Sequence, residues 1–191
     1  RSLGASNLLY WRAQEDRNHL INDKGWMIIG DSYSECNYSL PFVTTWKTDN
    51  PGTSGDTEIT IPTTGTGYSY DVDWDNDGLY DETGITESVP HDFGSAGTYT
   101  IRIRGDFPRI YFNNGDDALK LLDINQWGDI AWTSLETAFM GCRNLIGMAT
   151  DVPDLSGVTN MANMFYAGDN FIGNLSNWNV STITNMSGLF W

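Results

Sequence analysis

The stretch YSYDVDWD, residues 68–75, decides how the middle of the chain folds. Its even positions carry aromatic or aliphatic side chains and its odd positions carry Ser or Asp, which is the two-residue period of a strand with one buried face. The stretch TYTIRIR, residues 98–104, alternates in the same way, and Ile59 and Ile61 indicate a third strand that ends at Pro62. Short strands separated by glycine turns predict an antiparallel β-sandwich over residues 41–107.

The charge of the chain limits its partners. There are 10 Lys and Arg residues against 25 Asp and Glu residues, and the formal net charge is −15. Phosphate backbones and anionic lipid headgroups repel such a polyanion, so we expect no nucleic-acid partner. No apolar run approaches the roughly 20 residues that cross a bilayer, so we expect no membrane insertion.

The turn DWDNDGLYD, residues 73–81, is the candidate metal site. Calcium loops carry oxygen ligands at positions 1, 3 and 5 and a glycine at position 6, which is Gly78 here. An EF-hand would need Glu at position 12, where Gly84 stands, and flanking helices, so the turn is not an EF-hand. The expected Ca²⁺ ligands are Asp73, Asp75, Asp77, Leu79 through its carbonyl and Asp81 through water.

A salt-bridge ladder is the alternative for the same acids. Arg102 and Arg104 lie on the polar face of a neighbouring predicted strand, where they could pair with Asp71 and Asp73. The remaining acids would then be ordinary turn residues. The sequence leaves both alternatives open.

Three motifs of the middle segment resemble the polycystic-kidney-disease (PKD) type of extracellular β-sandwich. They are Val72-Asp73-Trp74, His91-Asp92-Phe93 and Gly97-Thr98-Tyr99-Thr100-Ile101. The turn after Trp74 is longer than the Gly-Asp-Gly turn that is usual in that family. The resemblance implies a PKD-like sandwich in an extracellular protein.

An internal repeat fills the last third of the chain. Alignment on Phe139, Phe165 and Phe190 gives periods of 26 and 25 residues, with Thr six positions earlier in each copy. Apolar residues recur seven, four and one positions before each Phe, and this spacing predicts a short helix in each unit. Because such a unit cannot bury its own apolar side, the units should stack as a strand-helix solenoid.

The repeat resembles the leucine-rich repeats of bacterial BspA-like surface proteins. The matching motifs are Ala138-Phe139-x-x-Cys142-x-x-Leu145, Val158-Thr159-Asn160-Met161 and Trp178-Asn179-Val180-Ser181. This resemblance implies export, display at the bacterial cell surface and adhesion, with no catalytic residues. It also places Cys142 in a buried column, although Cys36 and Cys142 could pair once.

The expected fold class is therefore α+β or mainly β, with an antiparallel PKD-like β-sandwich followed by a short leucine-rich-repeat solenoid. The expected divisions are a strand-containing segment at 1–40, the sandwich at 41–107 and the solenoid at 108–191. In the first segment, residues 8–11 and 26–29 are predicted strands. The third repeat unit stops midway at Trp191, which predicts a monomeric part of a longer chain.

The expected function is a non-catalytic, calcium-stabilised extracellular module for binding or adhesion. Its partner would be a protein, peptide or glycan on a host or neighbouring cell. Trp127 and Trp178 could stack on a sugar ring or a peptide, but a recurring aromatic column is more typical of a core. The alternatives are a structural spacer in a large adhesin, or a secreted hydrolase that uses Asp75 and Asp81 as general acid and base.

Overall fold

The computed structural model describes residues 2–4, 9–10, 20–21, 24, 26–29, 32–33 and 39–191. The chain divides into two units, residues 1–38 and 39–191. The strands of the first unit are β1 (Ser2–Gly4), β2 (Leu9–Tyr10), β3 (Met27–Ile29) and β4 (Ser32–Tyr33). β1 is parallel to β3, and β2 is parallel to β4. Both predicted strands of this unit are present, as β2 and β3, whereas Cys36 lies outside the described residues.

The second unit is built from antiparallel sheets. Its strands are β5 (Phe42–Lys47), β6 (Glu58–Ile61), β7 (Ser69–Asp73), β8 (Glu82–Ile85), β9 (Val89–Asp92), β10 (Thr98–Asp106) and β11 (Leu121–Gln126). Five of them form one sheet in the order β11-β5-β10-β7-β8, and β6 pairs with β9 in a two-stranded sheet. The three strands predicted for the middle segment are confirmed as β6, β7 and β10.

One core joins the two sheets. Tyr70 and Val72 of β7 are buried, as are Ile101 and Ile103 of β10, while the residues between them carry the polar face. The two-stranded sheet adds Ile59 and Ile61 of β6 and Val89 of β9 to the same cluster. The predicted alternation therefore identified the buried apolar residues of β7 and β10 correctly, but Asp73, which it placed on the polar face, is buried.

The five-stranded sheet extends beyond residue 107, where the sequence placed a domain boundary. β11 pairs with β5 through Leu121, Asp123, Ile124 and Gln126. The register shifts between Leu121 and Asp123 and again between Ile124 and Gln126. The repeat continues from this strand, because the carbonyl of Leu122 accepts the N–H of Ile146 at 2.9 Å. The first repeat copy is thus hydrogen-bonded to the sheet.

The predicted strand-helix solenoid, and with it the expected leucine-rich-repeat fold class, is wrong. Residues 39–191 contain no helix, and the repeat consists of successive turns. Thr137 and Asn163, two positions before the aligned Phe, have φ angles of 52° and 55°, and Gly188 at the same position has 64°. A right-handed helix cannot pass through a residue with positive φ.

Hydrogen bonding between copies replaces hydrogen bonding along a helix. The N–H groups of Thr137, Phe139 and Gly141 donate to the carbonyls of Ala162, Met164 and Tyr166 at 2.8–2.9 Å. The second and third copies repeat the pattern, for example from the Phe165 N–H to the Leu189 carbonyl at 3.0 Å. These bonds align the aromatic rings, and Phe165 stacks between Phe139 at 5.7 Å and Phe190 at 5.6 Å.

The turns explain why the sequence imitates a helix. Ala138, Cys142 and Leu145 each donate a backbone hydrogen bond to the residue three positions earlier. A run of such turns returns side chains to one side every three or four residues, which is also the helical spacing. Among the described residues, no helical segment has the length and apolar character needed to span a lipid bilayer.

Candidate functional site

The acidic turn after β7 is held by its own backbone geometry. Asn76 and Gly78 have φ angles of 62° and 95°, so the chain reverses sharply between Asp75 and Leu79. The carboxylate of Asp77 accepts the Leu79 N–H at 2.7 Å, and that of Asp75 accepts the Asp77 N–H at 3.2 Å. These short-range bonds are typical of Asp in turns.

Three of the five predicted ligands come together at this turn. Oxygen atoms of Asp73, Asp75 and Asp81 lie within 4.8 Å of one another. Asp77 does not belong to this group, and one oxygen of its carboxylate accepts the Leu79 N–H. Asp81 accepts the Trp74 N–H at 2.9 Å, which ties the far end of the turn to its beginning.

Asp73 is the buried member of the group, and it already has partners. Its two oxygens accept the N–H groups of Asp77 at 3.2 Å and Gly78 at 2.8 Å. The Nε atom of Arg102 lies 3.8 Å from the Asp73 carboxylate and donates to the side-chain oxygen of Asn76. A carboxylate without solvent exposure needs such donors because burial penalises its charge.

The salt-bridge ladder considered from the sequence is also present. The β7–β10 register places Arg102 opposite Asp73 and Arg104 opposite Asp71. Arg104 contacts Asp71 at 3.0 Å and lies over the ring of Tyr80. The ladder pairs Asp71 and Asp73 with arginines, whereas Asp75 and Asp81 are exposed at the turn.

The carboxylate group fits the chemistry of a calcium ion. Calcium takes oxygen ligands at about 2.3–2.6 Å, so two oxygens bound to one ion are at most about 5 Å apart. Asp73, Asp75 and Asp81 meet that condition and would hold the ion, while backbone carbonyls and water would complete its coordination. Asp75 and Asp81 are also the two acids of the hydrolase alternative, and one Asp81 oxygen is hydrogen-bonded to the Trp74 amide.

The two aromatic residues considered as ligand contacts belong to the core. Trp127 is buried and Trp178 is nearly so, and their rings meet edge to face at 5.2 Å. Trp127 also packs against Phe42 of β5 and against Phe139. The core interpretation of this aromatic column is therefore correct.

An exposed aliphatic patch on the repeat was not identified from the sequence. The patch consists of Ile146, Met148, Val152 and Ile172, which are 39%, 58%, 43% and 73% exposed. Ile146 and Ile172 are equivalent residues of successive copies, and the Ile172 N–H donates to the Ile146 carbonyl at 3.0 Å. The recurring Asn-x-Ile-Gly segment was the available signal, but recurrence does not show which side chains face solvent.

Glycine at the end of that segment sets the spacing between copies. Gly147 has a φ angle of 77°, and a Cβ atom there would lie 2.4 Å from the ring of Phe171. A Cβ atom at Gly173 would lie 2.8 Å from the Gly147 carbonyl oxygen. The ring of Phe171 can therefore pack against both glycines, and its centroid lies 3.9 Å from that of the Phe165 ring.

A groove of about 370 Å³ lies beside the patch. Met148 and Val152 line it from one copy and Ile172 from the next. Its polar lining includes Asp151, Asn174 and Asn177. The groove therefore offers aliphatic contacts together with hydrogen-bonding groups, which is typical of a ligand site.

Asp151 fixes the wall of this groove. Its carboxylate accepts the N–H groups of Trp127 at 3.0 Å and Gly128 at 2.9 Å. Asp123 acts similarly one copy earlier, with one oxygen accepting the N–H groups of Gly147 and Met148. Two carboxylates thus hold the loops that carry the patch, and both leave negative charge near it.

The thiol of Cys142 is buried, and burial raises its pKa well above the usual value. A thiol in this state is a poor nucleophile because little thiolate forms. Cys142 is buried, as predicted from its place in the repeat. Cys36 lies outside the described residues, so its pairing with Cys142 stays a prediction.

Comparison with known families finds a match over residues 115–191, to a family described as "Mycoplasma protein of unknown function, DUF285". This segment includes β11 and the three repeat copies. No curated protein and no solved structure matches the chain. The identification with BspA-like leucine-rich repeats preceded by a PKD-like sandwich is therefore wrong, since the match is to DUF285 and the matched residues contain no helix.

Proposed function

We propose that the chain is a non-catalytic binding module of a bacterial surface protein, in which the repeat holds a partner against the aliphatic patch and its groove. The observation that carries the proposal is the exposure of three aliphatic side chains, Met148, Val152 and Ile172, that line one groove. Exposed apolar side chains grouped around a groove mark binding sites more often than scattered ones do. No catalytic residue is assigned.

Binding arrays with a matched pair of variants test this proposal. The full chain is applied to peptide and glycan arrays, together with Ile172→Ser and Leu79→Ser. Ile172 and Leu79 are both 73% exposed, but Leu79 lies in the acidic turn, away from the groove lining. We expect bound spots that weaken with Ile172→Ser and persist with Leu79→Ser. Arrays without any bound spot would favour the structural spacer.

We also propose that calcium stabilises the acidic turn. The support is the approach of carboxylate oxygens of Asp73, Asp75 and Asp81 to within 4.8 Å. Among the described residues, Arg102 pairs with Asp73, and no Lys or Arg pairs with Asp75 or Asp81. Two of these three acids are exposed, so the site would be weak, in the range of about 10⁻⁴–10⁻³ M that is found in extracellular modules. We propose an extracellular location for the module as well, where calcium would be available to a site of this strength.

Thermal melts with calcium or with a chelator test the ion. Calcium at about twentyfold its Kd would add about 2 kcal/mol to the free energy of unfolding. We expect the melting midpoint to rise with calcium for the wild type and for Asp56→Asn, an exposed acid outside the turn. We expect no rise for Asp75→Asn. Equal midpoints for the wild type in calcium and in chelator would remove calcium from the proposal.

A further inference from the structure

We infer that the partner held by the groove is a polypeptide segment that carries Lys or Arg beside aliphatic side chains. This inference rests on the proposed function and names the chemistry of its ligand. It combines two independent features of the described residues, namely the aliphatic lining of the groove and the pairing of the unit's cations.

The lining requires an apolar partner group. Met148, Val152 and Ile172 expose aliphatic side chains to the same groove, and covering them removes apolar surface from water. Sugar recognition usually relies on an aromatic face, but Trp127 and Trp178 pack on each other in the core. Leu, Ile, Val or Met side chains of a polypeptide therefore match this groove better than a sugar ring does.

The charges favour a cationic partner. The Lys and Arg residues of the unit at 39–191 are Lys47, Arg102, Arg104, Arg109, Lys120 and Arg143, and each lies within 4.0 Å of a carboxylate. No Lys or Arg follows Arg143 in the sequence, whereas Asp151 lines the groove and Asp154 is exposed nearby in the chain. A ligand cation beside the groove would meet negative charge that the unit does not neutralise itself.

The polar lining suits a peptide backbone. The side-chain oxygen of Asn174 accepts the Ser176 N–H at 3.0 Å, which leaves its Nδ2 group to donate to a ligand carbonyl. Asn177 adds a second exposed amide to the lining. The groove volume of about 370 Å³ admits side chains of a bound segment.

Fluorescence anisotropy with three labelled peptides of equal length tests the inference. One peptide alternates Lys and Leu, the second alternates Glu and Leu, and the third alternates Lys and Ser. We expect the full chain to bind the Lys-Leu peptide most tightly and to lose affinity as salt is added, because exposed charges are screened. We expect Ile172→Ser to weaken this binding about tenfold, as loss of one buried aliphatic contact implies, and Leu79→Ser to leave it within about twofold.

The outcomes separate the inference from the function on which it rests. If the Glu-Leu peptide or a glycan binds the groove as tightly as the Lys-Leu peptide, the proposed partner chemistry is wrong and the binding function stands. If the Lys-Ser peptide binds equally well and Ile172→Ser has no effect, binding is general charge attraction and the groove is not the site. Met148→Ser is a second groove variant in case Ile172→Ser does not fold. If neither the peptides nor the arrays give binding, the proposed function itself fails.

Discussion

Replacing Lys120 by Met tests how strongly a buried ion pair stabilises the unit at 39–191. Lys120 and Asp117 have no exposed side-chain surface, and Lys120 Nζ lies 4.0 Å from Asp117 Oδ1. The ammonium group donates to the carbonyls of Ser54, Gly55 and Glu58 at 3.0, 2.7 and 2.8 Å. These bonds attach the loop before β6 and the first residue of β6 to the turn before β11.

The expected cost follows from the partners that the substitution leaves behind. Asp117 accepts the N–H groups of Thr53, Ser54 and Thr60 and the Ser54 hydroxyl, so its charge would stay buried without the neighbouring ammonium. Three carbonyl oxygens would also lose their donor. Breaking a buried ion pair from one side costs about 3–5 kcal/mol. In a domain of this size that loss lowers the melting midpoint by about 10 °C.

Urea unfolding followed by tryptophan fluorescence measures this cost, with Lys47→Met as the matched control. Lys47 contacts Asp49 at 3.1 Å, but both side chains are 41% exposed. Exposed pairs contribute about 0–1 kcal/mol, so the control should lose little stability. If Lys120→Met lowers the free energy of unfolding no more than Lys47→Met does, burial does not make the Lys120–Asp117 pair more stabilising than an exposed pair.

Three further predictions concern the aromatic stack, the histidine and a glycine. Phe165→Ala should lower the free energy of unfolding by about 3–5 kcal/mol because the ring is buried. Phe190→Ala should lower it clearly less because that ring is 55% exposed. Equal losses in urea unfolding would contradict this prediction. Burial lowers the pKa of His91 below 6.5 despite the acids nearby, so folding favours the neutral ring. Stability should therefore be full above that pH and fall as the pH drops below it, and His91→Phe should remove this part of the pH profile of unfolding. Gly128→Ala should prevent folding or lower the melting midpoint far more than Gly84→Ala does. Both glycines have positive φ, but only at Gly128 would a Cβ atom lie 2.2 Å from the Leu40 carbonyl oxygen.

The strands of the sheet could be predicted because their signal is local. Alternation in residues 68–75 and 98–104 depends on one buried face, and β7 and β10 have that face. The same alternation placed Arg102 and Arg104 opposite Asp73 and Asp71 as one of two alternatives. The meeting of Asp73, Asp75 and Asp81 was predicted for a similar reason, since one tight turn carries all three.

The helices of the repeat were predicted wrongly because the decisive signal is not local. Apolar spacing of three and four residues arises from a helix or from successive turns, and the difference lies in where each N–H donates. Here Phe139 donates to Met164, which lies in the next copy. Thr137 and Asn163 both have positive φ angles. Because Thr rarely adopts positive φ, the residue type at position 137 does not indicate a turn there. Likewise, neither the exposure of Ile172 nor the groove beside it could be read from a single sequence.

The attachment of the first copy to β11 also protects the sheet from unwanted association. Free outer strands of a sheet are templates for pairing with another molecule. At the β11 side, the Leu122 carbonyl and the Asp123 side chain are already occupied by Ile146, Gly147 and Met148. At the opposite side, β8 is four residues long, begins with Glu82 and pairs irregularly with β7. Within residues 39–191, neither border of this sheet presents a long flat row of amides, so copies of the unit should resist strand-to-strand aggregation even at high concentration.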